Sequence, residues 1–171
     1  MTPECMGFPP IIGQHPKVLI LGTMPSVASL EAEFYYSHPR NAFWPILSTL
    51  LQRPAETEAE KRQLIVHSPF ILWDVLQSCE RQGSLDSAIQ SPKANDFSTL
   101  ATQYPTLQAV AFNGQKAFEL FQTHVLKKQQ LPEKVVENWT LIPLPSTSPA
   151  NARMNLQQKT ETWRAKLAKF L

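Results

Sequence analysis

The sequence predicts an α/β fold, a three-layer α/β/α sandwich on a four-stranded parallel sheet. Two observations carry that expectation. Four short apolar runs recur along the chain, Val18–Leu21, Phe70–Leu76, Ala109–Phe112 and Thr140–Leu144. Each is too short for a buried helix. The segments between them carry apolar residues at helical spacing, so strands alternate with helices and right-handed crossovers cover both faces of the sheet.

Taken in order, residues 1–16 are rich in proline and glycine and form an irregular lead-in. Val18-Leu19-Ile20-Leu21 has no polar position, as expected of a strand buried on both faces. It stops at Gly22-Thr23-Met24-Pro25-Ser26, which can continue neither strand nor helix. A polar-aromatic loop, Tyr35 to Asn41, leads into a helix with Phe43, Trp44, Leu47, Leu50 and Leu51 on its apolar face. Pro45 suits the first turn of that helix, which therefore starts near Phe43 or Trp44. Thr57 followed by Glu60 has the capping-box form and opens a polar helix to about Ile65.

The second strand, Phe70–Leu76, brings Asp74 near its carboxyl end. From Gln77 to Gln108 the pattern is one of loops and short helices, with a turn at Gly83-Ser84 and a cap at Asn95 or Asp96. Asn113-Gly114 ends the third strand, and Ala117, Phe118, Phe121 and Val125 follow at helical spacing. Pro143 argues for an edge position of the fourth strand. After the loop Pro145 to Asn155, Leu156, Thr160, Trp163, Leu167 and Phe170 make one face of a closing helix. No repeat, low-complexity tract or linker divides the chain, so residues 1–171 are expected to form one domain.

Composition narrows the function. A hydrophobic fraction of 43% and a charged fraction of 18% belong to a globular chain with a proper core. No run of about 18 apolar residues supports a membrane span. The N-terminal stretch lacks a charged region followed by an apolar one, and Cys5 and Cys79 form no framework, so a cytoplasmic location is expected. His15, His38, His67 and His124 are scattered, so no metal is expected. The net charge of +2 is unevenly placed: residues 113–171 hold 9 Lys/Arg against 4 Asp/Glu. That asymmetry allows either a basic face for a polyanion or simply a solvated closing helix.

Ligands in open α/β folds bind where loops leave the carboxyl ends of parallel strands. The loop after the first strand, from Gly22 through Thr23 and Met24 to Pro25, therefore offers backbone N–H groups to an anion or a base edge. Tyr35 and Tyr36 bring two aromatic rings to the second loop, and Tyr35 is expected to be a packing neighbour. Asn41 either orients a reactant or caps the helix behind it. Asn113 either offers its amide to a ligand there or makes the turn. Ser146, Thr147 and Ser148 either hold phosphate at a helix start or form a turn through local bonds.

The turn G-T-M-P-S, followed by H-P-R-N-A-F-W and later by L-P-S-T-S-P-A-N, resembles the uracil-DNA glycosylase superfamily. Further matches are Trp73-Asp74-Val75, Ser78-Cys79, Gly83 to Ser87, Asn95-Asp96-Phe97 and Phe112-Asn113-Gly114. Within the superfamily the chain is similar to the mismatch-specific branch and, more so, to the hypoxanthine-DNA (deoxyinosine) glycosylase family. Better-known members carry Asp or Asn where this chain has Met24, and that group holds the attacking water. Methionine cannot hold it. The deoxyinosine branch also lacks that polar residue, and the resemblance puts its catalytic asparagine at Asn41.

The resemblance further implies that Tyr36 stacks on the extracted base. Ser146, Thr147, Ser148, Pro149, Ala150, Asn151 and Arg153 would grip the strand and fill the gap left by the base. Asp74, Ser84 and Asp86 match family positions without an assignable role. The implied activity is monofunctional removal of hypoxanthine from deoxyinosine, by a monomer acting on DNA with deaminated bases and without a cofactor. Three alternatives stay open: a uracil or mismatch glycosylase of the same fold, a binding module without turnover, and a small-molecule hydrolase using Ser26 with His38. No G-x-S-x-G elbow supports the last.

Overall fold

A computed structural model describes residues 2–171. At its centre lies β3 (Val18–Gly22), buried at every residue. It pairs in parallel with β4 (Phe70–Asp74) on one side and β7 (Ala109–Asn113) on the other, and β7 pairs in parallel with β8 (Thr140–Leu144). These are the four expected strands, and Pro143 does lie on an edge strand. A fifth, β2 (Ile11–Ile12), adds to β4 in the antiparallel sense, so the sheet is mixed, in the order β2-β4-β3-β7-β8.

The expectation of a purely parallel, four-stranded sheet is corrected in a second respect. The run Phe70–Leu76 is not one strand. It leaves the main sheet after Asp74 and continues as β5 (Leu76–Glu80) in a separate antiparallel sheet with β1 (Glu4–Met6) and β6 (Gln90–Ala94). Only Leu76 and Cys79 are buried in β5, and no residue is buried in β6. Such polar segments take strand form from their partners and not from an apolar pattern.

Alternate side chains of β3 supply the two cores. Val18 and Ile20 pack with Phe43, Trp44, Ile46 and Leu47 of α2 (Phe43–Leu51), Leu64 and Ile65 of α3 (Glu58–Val66), and Trp163 and Leu167 of α7 (Leu156–Leu167). Leu19 and Leu21 pack on the other face with Phe97 and Leu100 of α4 (Phe97–Gln103) and Ala117, Leu120 and Phe121 of α5 (Gln115–Phe121). That is the period-2 alternation of a strand sandwiched between helix layers.

Local signals set the helix ends. Thr57 and Glu60 form the reciprocal capping box that opens α3, and Asp96 caps α4 by accepting from Thr99 N. Asn155 and Gln158 form a second box at the start of α7. Leu156, expected on the apolar face of that helix, is half exposed instead. Past α5 the helix widens into a π turn, Gln122–Leu126, which still buries Val125. Two short helices, α1 (Val27–Ala32) and α6 (Glu133–Asn138), have too few apolar positions to show in the sequence pattern.

Candidate active site

The parallel register sets Gly22 beside Asp74 and Asn113 beside Leu144, so the carboxyl ends of all four strands lie level. From β3 the chain crosses to β4 on one side and then returns past β3 to β7 on the other, which makes the gap between β3 and β7 a topological switch point. A cleft of about 420 Å³ opens there. Of the residues expected at the site, Gly22, Thr23, Met24, Pro25, Tyr36, Asn41, Asn113, Ser146, Thr147, Ser148, Ala150 and Asn151 line it. Pro149 and Arg153 do not, and Arg153 is exposed on the surface.

At the floor, Gly22 has no room for a side chain. A Cβ there would fall 2.5 Å from Tyr36 Oη and 2.6 Å from Asp74 Oδ1. Tyr36 reaches this point from a left-handed backbone (φ 52°), and its ring stacks on Phe43 with centroids 4.1 Å apart and planes 19° apart. Its hydroxyl is sealed from solvent without a hydrogen-bond partner among the described residues, and burial holds it as the neutral phenol. Tyr35 is a packing residue, its hydroxyl donating to the Pro9 carbonyl at 2.8 Å.

Asp74 and Asp86, which the sequence leaves without a role, both line the cleft. Burial first, and then the charge of Asp86, push the Asp74 carboxyl up to about 7, against the opposing pull of Arg81. Asp86 is itself raised by burial, with Arg81, Lys116 and the Thr23 hydroxyl pulling the other way. Arg81 is almost completely buried; one guanidinium N–H donates to the Pro25 carbonyl, while Nε and the other terminal nitrogen lack partners among the described residues. Ser84 accepts from Val27 N at 2.9 Å and so steadies the start of α1.

Asn41 meets the start of the helix behind it and also lines the cleft. Helix α2 starts at Phe43, with Pro45 inside its first turn, and Asn41 Oδ1 accepts from Phe43 N at 2.9 Å. The amide oxygen thus serves the helix start, and Nδ2 makes no hydrogen bond among the described residues. His38 belongs to a local turn, its Nδ1 accepting from Arg40 N at 3.1 Å. Ser26 caps α1 by accepting from Ser29 N and donates to Ser29 Oγ, which leaves it no partnership with His38.

The last loop is fixed from three directions. Asn113 donates Nδ2–H to Thr147 Oγ1 and accepts from Thr147 N, both at 2.9 Å. The carbonyl of Thr147 accepts from Ala42 N at 3.0 Å, and Trp163 Nε1 donates to the Pro145 carbonyl at 2.9 Å. Local bonds knit the rest, Ser146 Oγ accepting from Ser148 N and Ser148 Oγ from Ala150 N. Helix α7 begins only at Leu156, so the serines precede the helix instead of standing at its start.

The profile of the Uracil DNA glycosylase superfamily matches residues 9–168. The chain belongs to this superfamily. It is 34% identical over 161 residues to a protein of Methanosarcina acetivorans named hypoxanthine DNA glycosylase, covering 93% of this chain and 95% of that one. A hypoxanthine DNA glycosylase of Methanosarcina barkeri is 35% identical over 115 residues, 66% of this chain and 73% of the other. Among solved structures, a solution NMR structure from M. acetivorans, carrying a provisional uracil DNA glycosylase name, superposes with a TM-score of 0.78 at 31% identity over 98% of both chains.

The first loop places a methionine at the cleft. Met24 lines the cleft but packs into the core cluster with Leu19, Leu21 and Val75. A thioether there shapes the wall and holds no water. The polar side chains that line the cleft include Asn41, the hydroxyls of the last loop and the two carboxyls. Among the described residues no three His, Cys, Asp or Glu side chains gather as a metal site.

Proposed function

We propose that the protein is a monofunctional DNA glycosylase that hydrolyses the N-glycosidic bond of a deaminated base, foremost hypoxanthine in deoxyinosine. The observation that carries this reading is the presence in one cleft of Met24, where a water-holding side chain would stand in the uracil-removing branch, together with Asn41, whose amide nitrogen makes no hydrogen bond among the described residues. The similarity to proteins named hypoxanthine DNA glycosylase supports it.

A base inside a duplex must be extruded before its sugar bond can be reached. The cleft walls, Gly22 to Pro25 and the ring of Tyr36, would hold the flipped base, and Asn41 Nδ2 would donate to it or to the attacking water. No strong base stands at Met24, so the bond breaks largely before water attacks. Hydrogen bonds then stabilise the leaving purine, and DNA phosphates stabilise the sugar cation. Asn113, with both amide atoms on Thr147, would act through the loop and not by reading the base. Ser146 to Asn151, with Arg153 beyond the cleft rim, would contact the strand. The cleft lining holds no lysine, so water is the nucleophile and the strand is not cut by β-elimination. The chain would act as a monomer and without a cofactor.

The test is a set of labelled duplexes bearing hypoxanthine, uracil, xanthine or mismatched thymine, incubated with chelator and scored for abasic sites. Hypoxanthine should be released fastest. Release of none of the four, or faster release of uracil, would overturn the proposal.

A further inference from the structure

The cleft wall holds a carboxyl group whose side chain makes no hydrogen bond among the described residues. Asp74 is 3% exposed, lines the cleft, and its Oδ2 has no hydrogen-bond partner among the described residues. The link from its residue to the scaffold is made by the main chain, whose carbonyl accepts from Asn95 Nδ2 at 2.8 Å. Gly22 keeps the space before the side chain open, since a Cβ there would fall 2.6 Å from Asp74 Oδ1. A buried, unpaired polar atom in the wall of a ligand-sized cleft is a costly arrangement unless a ligand completes it.

We infer that Asp74 is a catalytic residue of this cleft, acting as the general acid that passes a proton from its carboxyl group to a ring nitrogen of the departing purine. The inference rests on the glycosylase reading above. The bond between C1′ and N9 breaks with both electrons going to the purine. At the same time the carboxyl proton moves to N7 or N3, so hypoxanthine leaves neutral and Asp74 becomes a carboxylate. Water then gives its hydroxide to C1′, and its remaining proton restores the acid.

The surroundings suit a carboxyl that stays protonated near neutrality. Asp86 faces it from the turn Asp86–Ala88, and the phenols of Tyr35 and Tyr36 face it from the loop before α2. Arg81, past the end of β5, is the cation that opposes them, and Lys116 of α5 acts on Asp86. Burial and Asp86 prevail and raise the carboxyl to about 7. A general acid with its pKa near the working pH is the efficient kind.

Single-turnover excision between about pH 5.5 and 9 tests this. The parent enzyme should lose rate about tenfold per pH unit above roughly 7, and Asp74→Asn should be about 100-fold slower at pH 6 with a flat profile. A duplex carrying 1,7-dimethyl-deoxyinosine, which has no N1 proton to lose, supplies a leaving group that is cationic across this range. On it the alkaline fall should vanish for the parent, a result that needs no variant to fold. A parent profile flat on deoxyinosine, Asp74→Asn within about threefold of the parent, or an alkaline fall that persists on the methylated substrate would each overturn the role of Asp74. If the parent releases no hypoxanthine at any pH, it is the glycosylase reading that falls.

Discussion

The side-chain oxygen of Asn41 accepts a 2.9 Å hydrogen bond from the backbone N–H of Phe43, the first residue of α2. One atom of the amide thus starts a helix while the other remains available to the cleft. Asn41→Ala removes both, so single-turnover cleavage should fall by about two orders of magnitude. Stability should fall by about 0.5–2 kcal/mol at the same time. Asn41→Asp keeps the acceptor and loses the donor, so its melt should match the parent while cleavage stays low. Parent-rate cleavage by Asn41→Asp would take the amide nitrogen out of the chemistry.

Tyr36 separates ring from hydroxyl. Its ring stacks on Phe43, and its hydroxyl is buried without a partner among the described residues. Tyr36→Phe should therefore melt at or above the parent temperature, since it deletes an unpaired polar atom. It should also keep most of the turnover. Tyr36→Ala should lose roughly 5- to 150-fold in rate, the value of one stacking contact expressed in the transition state. Equal losses in both variants would show that the hydroxyl carries the function.

The carboxyl of Asp74 makes stability fall as pH rises. Its folded value of about 7 lies above the ordinary 3.8, so the folded state holds the proton more tightly between these two values. Stability is then full below about 4 and declines up to about pH 7, where the loss is complete. Asp74→Asn cannot ionise, so its melting temperature should exceed that of the parent above pH 7 and converge with it toward pH 4. Thermal melts across that range decide it, and a constant gap would mean that the carboxyl does not titrate there.

Binding to DNA should weaken steeply with salt. The segment 113–171, which supplies the last loop and α7, carries 9 Lys/Arg against 4 Asp/Glu. Each neutralised phosphate releases counterions, so log affinity should fall linearly with log salt. Titration of a lesion duplex from about 50 to 200 mM salt measures the slope. A flat response would argue for a ligand other than a polyanion.

Much of the fold was legible because its central strands and helix caps are written locally. Val18–Leu21 and Ala109–Phe112 have no polar position, Thr57 and Glu60 spell their cap, and Pro143 marks an edge. The small antiparallel sheet was not, since Gln77, Ser78, Lys93 and their neighbours form strands only because a partner lies alongside. The cleft loops could be found from their punctuation at the strand ends. The environment of Asp74 could not, because Arg81 and Asp86 come to it from a polar stretch that reads as loop. Nor could the use of both Asn113 amide atoms by Thr147, a residue 34 positions away.

Thr147 joins three parts of the chain: its N–H and hydroxyl meet Asn113, and its carbonyl meets Ala42. A wall built this way cannot fray by itself, because releasing it breaks contacts to two other loops rooted in the core. Opening that wall therefore costs the contacts of two loops besides its own. The same connection governs synthesis. Until the last loop has emerged from the ribosome, Ala42 and Asn113 have nothing to close upon, and the growing chain has no finished cleft with which to engage DNA.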